Sequence, residues 1–127
     1  MLTPEFAEHF AQEWISAWNS HDLDRILAHY SDHFTMSSPR IAALTEQSSG
    51  ILCGKAAVVD YWRRALSSAP DLLFALIGVY LGADSVALHY EGPRGPAVEV
   101  FFFDEHGLVD RASANYLSHS GTLRPEF

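Results

Sequence analysis

The chain has 127 residues, of which 48% are hydrophobic, 13% aromatic and 19% charged. That balance excludes a disordered chain, which is poor in apolar side chains, and the length suits one domain around one core. Sixteen acidic residues against eight basic ones give a formal net charge of −8. Such a field repels phosphate backbones and anionic lipid, so neither nucleic acid nor a membrane surface is an expected partner.

Cys53 is the single cysteine, which allows no intrachain disulfide and no paired-cysteine metal or redox motif. It reads as a small buried hydrophobe. The opening Met-Leu-Thr-Pro-Glu-Phe lacks the basic flank and apolar run of a secretory leader. No apolar stretch approaches the ~20 residues that span a bilayer. A cytoplasmic, reducing location is the expectation.

In chain order, Thr3, Pro4 and Glu5 open a helix. Threonine accepts from an orphan amide, proline at the first helical position forfeits no bond, and glutamate favours the positive end of the helix dipole. Phe6, Phe10, Trp14 and Trp18 then recur every four residues, with Ala7, Ala11 and Ile15 beside them. This spacing predicts one broad apolar face on a helix running to about residue 19. Asn19, Ser20 and His21 break it, and Asp22 caps a short second helix with Leu23, Ile26, Leu27 and Tyr30 on its buried side.

Residues 34–38 alternate as a short strand would, and Pro39 ends it. Residues 40–53 read mostly as a loop, with a helical turn over 41–44 as one option. Gly54 and Lys55 lead into a helix over 56–66, with Val58, Val59, Tyr61, Trp62 and Ala65 on its apolar side. Asp60 and Arg64 form an i, i+4 pair on the exposed side.

From Asp71 the period changes. Residues 72–81, 85–91, 97–103 and 108–117 read as four strands joined by short turn sequences. Connections that short permit antiparallel pairing and no crossover helix, so these strands form a meander. The tail over 118–127 is polar and irregular. The reading is a single α+β domain over 1–117, with three helices and a curved antiparallel sheet.

That order resembles the nuclear-transport-factor-2-like superfamily, a cystatin-like fold, and within it the SnoaL-like polyketide-cyclase branch. The residues that carry the resemblance are Trp18 to Asp24, Tyr30 to Phe34, and Gly54 to Val58 followed by Tyr61 and Trp62. The resemblance implies a cone-shaped sheet wrapped around the long first helix, two further helices, a pocket at the open end, and dimerisation through the sheet's outer face. It leaves function open, because one fold hosts enzymes, ligand binders and interaction modules. Parity in strand 97–103 puts Ala97, Glu99, Phe101 and Phe103 on one face and Val98, Val100 and Phe102 on the other. Two apolar faces imply that both are covered, and a homodimer covers the outer one.

Ketosteroid isomerases of this superfamily supply a check on chemistry. Their proton-shuttling aspartate, just before a proline, matches Ser38, which cannot act as a carboxylate base near neutral pH. Their oxyanion-binding tyrosine matches Trp14. Their supporting tyrosines match Tyr30, which is retained, and Trp62, which is not. Their second acid matches Glu99. Steroid isomerisation by that route is therefore not expected.

Glu99 is the principal catalytic candidate, since a carboxylate among aromatics loses hydration and its pKa rises. A structural glutamate paired to a hydroxyl or an indole remains the competing reading. His33 is a distant acid/base candidate. Trp14, Trp18, Tyr30, Met36, Ser38, Trp62, Phe101 and Tyr116 are the candidate ligand-binding residues, each also explicable as core. Ala112 and Ala114 share the parity of Tyr116 and leave room rather than fill it. No histidine, cysteine and acid cluster has metal-ligand spacing, and no cofactor motif is present. Arg40 and Glu46 fall where a pocket mouth would lie. Two functions stay open: a cofactor-independent isomerase, cyclase or hydratase acting on a small apolar or weakly polar molecule, and a non-catalytic ligand-binding or protein-interaction domain.

Overall fold

The structure, a computed structural model, describes residues 1–118, so the expected tail lies outside the described residues from residue 119 onward. Four helices and six strands follow in the order α1 (Pro4–Ser20), α2 (Leu23–Leu27), β1 (Tyr30–Ser37), α3 (Pro39–Leu44), β2 (Ile51–Cys53), α4 (Lys55–Ser68), β3 (Ala75–Leu81), β4 (Ser85–Gly92), β5 (Gly95–Phe103) and β6 (Val109–Tyr116). The strands make one curved, unclosed sheet in the order β2-β1-β6-β5-β4-β3.

The start of α1 follows its sequence signal. Thr3 Oγ1 accepts from the Phe6 amide at 3.1 Å, and Pro4 occupies the first turn. The helix stops at His21, which takes a left-handed conformation at φ 60° and donates its backbone N–H to Trp18 O. A non-glycine residue there is held by a partner: the His21 ring lies 2.8 Å from Leu72 O, which makes Nε2 the protonated nitrogen. Ala7, Phe10, Ala11, Trp14, Ala17 and Trp18 all face the core.

The meander β3 to β6 is antiparallel throughout, as the short connections require. The sheet as a whole is not. Strand β1 pairs parallel with β6, for which the chain between them supplies a crossover of α3, α4 and the four strands β2 to β5. Within residues 40–53 the helical turn offered as an option over 41–44 is present as α3, and strand β2 is what departs from the expected loop. Helix α3 starts at Ser38-Pro39, with Ser38 Oγ accepting from the Arg40 amide at 3.1 Å. Strand β2 pairs antiparallel with β1, Leu52 opposite Met36. The long first helix therefore has three companions rather than two.

Three residues move with these corrections. Tyr30 begins β1 instead of ending α2. The third strand starts at Ala75, because the segment before it turns at residues 70–71 and is bonded to Asn19 and His21 at the end of α1 through the Phe74 and Leu72 backbone. Cys53 is exposed: on a three-residue edge strand, alternation buries Leu52 and turns its neighbours outward.

The core is continuous from the inner side of α1 to the inner face of the sheet, where Val86, Leu88, Phe101, Val109 and Ala112 are wholly enclosed. The outer face differs. Val98 is exposed, Val100 and Phe102 are half-buried, and Tyr80 and Ile77 on β3 are exposed. One chain alone leaves that row uncovered. His89 lies on the same face, opposite Val98. The Arg111 guanidinium sits 3.9 Å above the centroid of the Phe102 ring, a cation–π contact on the outside of the sheet.

Candidate functional site

Helices α1 and α4 do not close against the inner face of the sheet along its whole length. Between them lies a cavity of about 480 Å³, within the ~300–1,000 Å³ range of small-molecule sites. Its walls come from Trp14 and Trp18 on α1, Tyr61 and Trp62 on α4, Met36 on β1, and Phe74 just before β3. Glu99 on β5 and Tyr90 on β4 are buried at its inner end, whereas the half-buried Arg40 and Tyr116 and the exposed Arg94 lie toward solvent.

The walls are rigid because their rings are packed on one another. Trp14 stacks on Phe74 with centroids 5.6 Å apart and planes 11° from parallel. Trp18 meets Trp62 edge-on at 5.3 Å, and Trp62 meets Tyr30 at 5.0 Å. Such pairs contribute about 0.5–1.5 kcal/mol each beyond the area they bury. Phe74 is fixed in turn by Asn19, whose Nδ2 donates to Phe74 O at 3.0 Å while its Oδ1 accepts from the Phe74 amide at 2.7 Å. A side chain in the last turn of α1 thus makes the paired N–H and C=O bonds to residue 74 that a strand would make.

Two polar groups are committed elsewhere. The Trp14 indole donates to the Tyr30 hydroxyl at 2.9 Å in a buried contact, so it is not free to serve a ligand. Ser38 Oγ caps α3, and it also holds down the pKa of Tyr61 and Tyr116, both of which burial raises; that of Tyr116 is pushed up to about 12. The Trp18 indole nitrogen is buried and finds no acceptor among the described residues.

Glu99 is 4% exposed. Its Oε1 accepts a 3.0 Å hydrogen bond from the Tyr90 hydroxyl, and Oε2 has no hydrogen-bond partner among the described residues. Burial raises its pKa to about 7, against the opposing pull of the Tyr90 hydrogen bond, which favours the charged form. Burial also lifts Tyr90 and Tyr30 well above the ordinary tyrosine value, and the nearby Glu99 carboxyl adds to the rise. Both tyrosines therefore keep their protons at physiological pH, and a pKa of about 7 brings the Glu99 carboxyl close to it.

Of the residues singled out from the sequence, Trp14, Trp18, Met36, Trp62, Glu99 and Tyr116 line one cavity. Tyr30 and Phe101 stand behind the lining as enclosed core. Ser38 is buried next to it. His33 is exposed on β1 and does not reach it. Ala112 and Ala114 are buried opposite Phe101 and Glu99 and are not part of its lining. Tyr90, Tyr61 and Phe74 were not singled out, although the inward parity of Tyr90 and the apolar face holding Tyr61 were legible. Among the described residues no group of three or more His, Cys, Asp or Glu is placed to hold a metal ion, and no helix is long and apolar enough to cross a membrane.

Four helices packed on a curved, unclosed six-stranded sheet give the α+β fold of the nuclear-transport-factor-2-like class. The SnoaL-like domain family matches residues 11–111, and the chain belongs to that family. It is 50% identical to a SnoaL-like protein of unknown function from Burkholderia thailandensis, with a TM-score of 0.88 over 91% of this chain and 98% of that one. It is 18% identical to SalBIII, an epoxide hydrolase/cyclase-like enzyme in pyran ring formation of the polyether salinomycin, with a TM-score of 0.74 over 93% of this chain and 95% of that one. A cystatin-like protein of unknown function from Methylobium petroleophilum is 16% identical, with a TM-score of 0.71 over 94% of this chain and 81% of that one. The last two likenesses speak for the fold alone. No curated protein matches the chain in sequence.

Proposed function

We propose that this SnoaL-like chain binds a small, largely apolar organic molecule in its cavity and moves a proton on it through Glu99, without a cofactor. The observation that carries the reading is an enclosed carboxyl at the inner end of an open aromatic cavity, one oxygen tied to Tyr90 and the other free. In its neutral form Glu99 presents a proton from Oε2 to a carbonyl or ether oxygen of the ligand. In its ionised form Oε2 takes a proton from carbon, hydroxyl or water beside that oxygen. A pKa of about 7 keeps both forms populated near neutrality. Isomerisation, cyclisation and hydration each need such a paired donation and removal. Trp14, Trp18, Trp62, Met36 and Tyr116 shape the space, and Tyr30, Phe101 and Ser38 brace it from behind.

The chain acts in this reading as a homodimer whose partner copy covers Val98, Tyr80 and the rest of the outer row, and its exposed lone thiol, Cys53, suits a reducing cytoplasm. A carrier role without catalysis is favoured by one observation: Ser38 stands where a base is found in the ketosteroid isomerases.

One experiment separates the two. Cyclic ketones are incubated with the protein in heavy water, and deuterium uptake beside the carbonyl is followed by NMR. Uptake above the buffer rate that is lost in Glu99→Gln supports proton transfer. Binding of the ketones with no uptake assigns the cavity to a carrier.

A further inference from the structure

The cavity rim carries charge that an apolar or neutral ligand would not need. The chain has eight basic residues against sixteen acidic ones. Several basic side chains are already engaged: Arg25 with Glu13 at 3.0 Å, Lys55 with Asp32 at 3.7 Å, Arg64 with Asp60 at 3.1 Å, and Arg111 over the Phe102 ring. Arg40 and Arg94 both line the cavity, and neither guanidinium makes an ion pair or hydrogen bond with a described residue.

They arrive from separate elements, Arg40 from the first turn of α3 and Arg94 from the β4–β5 turn. Both charges act on the same point, since each lowers the pKa of the Tyr61 hydroxyl against the rise that burial causes. The lining contains no acidic residue besides Glu99, which sits at the opposite, enclosed end. A chain with twice as many acids as bases has therefore kept its cavity rim free of them and placed two unpaired arginines there.

Resting on the ligand-binding reading above, we propose that the molecule this cavity takes is an organic anion. Its apolar body lies among Trp14, Trp18, Trp62 and Phe74, and its charged head sits between Arg40 and Arg94. The guanidinium fork matches carboxylate and phosphate oxygens with paired hydrogen bonds, and a positive rim on a negative protein draws anions to one place. With the head held at the rim, the far end of the molecule is the part that meets Glu99. The arrangement selects a ligand with opposite ends: one ionised, the other offering a single oxygen or acidic carbon.

All three tryptophans of the chain line the cavity, so their fluorescence reports its occupancy. The test titrates the protein with naphthylacetate, naphthyl phosphate and the uncharged naphthylacetamide, at low and high salt. The expected result is that at least one anion binds about tenfold or more tightly than the amide, a gap that narrows in high salt. Which anion wins names the head group. In an Arg40→Gln, Arg94→Gln double variant the gap closes while the amide binds as before, which also shows that the variant is folded. Equal binding of the amide and both anions, or a preference that survives in the double variant, overturns the proposal and leaves the ligand-binding reading standing. Failure of all three probes to bind the unaltered protein overturns both.

Discussion

Tyr90 and Glu99 are diagonal neighbours on adjacent strands, not a direct cross-strand pair. Glu99 faces Leu88 and Tyr90 faces Ala97, yet the Tyr90 hydroxyl reaches Oε1 of Glu99 at 3.0 Å along the inner face. A long side chain spans that diagonal, whereas the small Ala97 opposite Tyr90 leaves the path clear. The contact sets which oxygen of Glu99 is structural and which is free.

Glu99 makes stability depend on pH with a definite sign. Its pKa rises from 4.5 in the unfolded chain to about 7 when folded, so the native state holds the proton more tightly. Its contribution is fully present below about pH 4.5 and is lost as pH rises through about 7, a change on the order of 3 kcal/mol. His29, whose pKa burial lowers, titrates in the opposite sense, so the comparison with a variant isolates Glu99. In Glu99→Gln we expect this slope to vanish and the variant to gain relative stability at pH 8. Urea denaturation at pH 5 and pH 8 checks it, and identical pH dependence in both proteins would refute the assignment.

Removing the Tyr90 hydroxyl withdraws the hydrogen bond that favours ionised Glu99. Tyr90→Phe should therefore shift the limb of the pH profile that Glu99 governs, acidic where it acts as base and basic where it acts as acid, toward higher pH. It should also cost about 1–3 kcal/mol at pH 8, where the carboxylate loses its donor. A pH profile superimposable on that of the parent protein would show that the hydroxyl does not govern Glu99.

Asn19 holds the wall of the cavity without touching its contents. Asn19→Ala removes both bonds to the Phe74 backbone and leaves a part-buried amide and carbonyl unpaired, a loss of about 1–3 kcal/mol. Asn19→Asp keeps the acceptor for the Phe74 amide and should fall between the two. Thermal melts rank the three proteins, and a melting temperature unchanged in Asn19→Ala would contradict the role.

On the outer face, Val98→Glu places a charge in the middle of the exposed apolar row opposite His89. We expect the single-chain fold to survive and the homodimer to dissociate, as read by light scattering. A dimer of unchanged affinity would move the interface away from this face.

The fold was legible where local chemistry alone decides it. The Phe6-Phe10-Trp14-Trp18 spacing and the Thr3-Pro4 start define α1, and turn residues at 82–84 and 104–107 define the meander. Ser38-Pro39 carries the same cap-and-proline grammar as Thr3-Pro4, but after an alternating run it reads as the end of a strand. In the structure it is both, the last inward residue after β1 and the cap of α3. Strand β2 was hidden because three residues are too few to show a period, and it is specified by pairing with β1.

For the site, parity gave the face of Glu99, Met36 and Tyr116, while depth depended on packing between distant elements. Tyr30 and Phe101 have the same inward character as Trp14 and Trp62, yet other rings cover them. The Asn19–Phe74 and Tyr90–Glu99 bonds join residues that no sequence period links, and Arg94, in the β4–β5 turn, lines the cavity with residues far from it in the chain.

The claim on which the account turns is that Glu99 is a carboxyl exchanging its proton near neutrality at the inner end of the cavity. An infrared titration of the side-chain carboxyl band, taken as the difference between the parent protein and Glu99→Gln, measures that directly. One carboxyl with an apparent pKa near 7 should disappear in the variant. A difference spectrum titrating in the ordinary glutamate range, about 4.3, would contradict it.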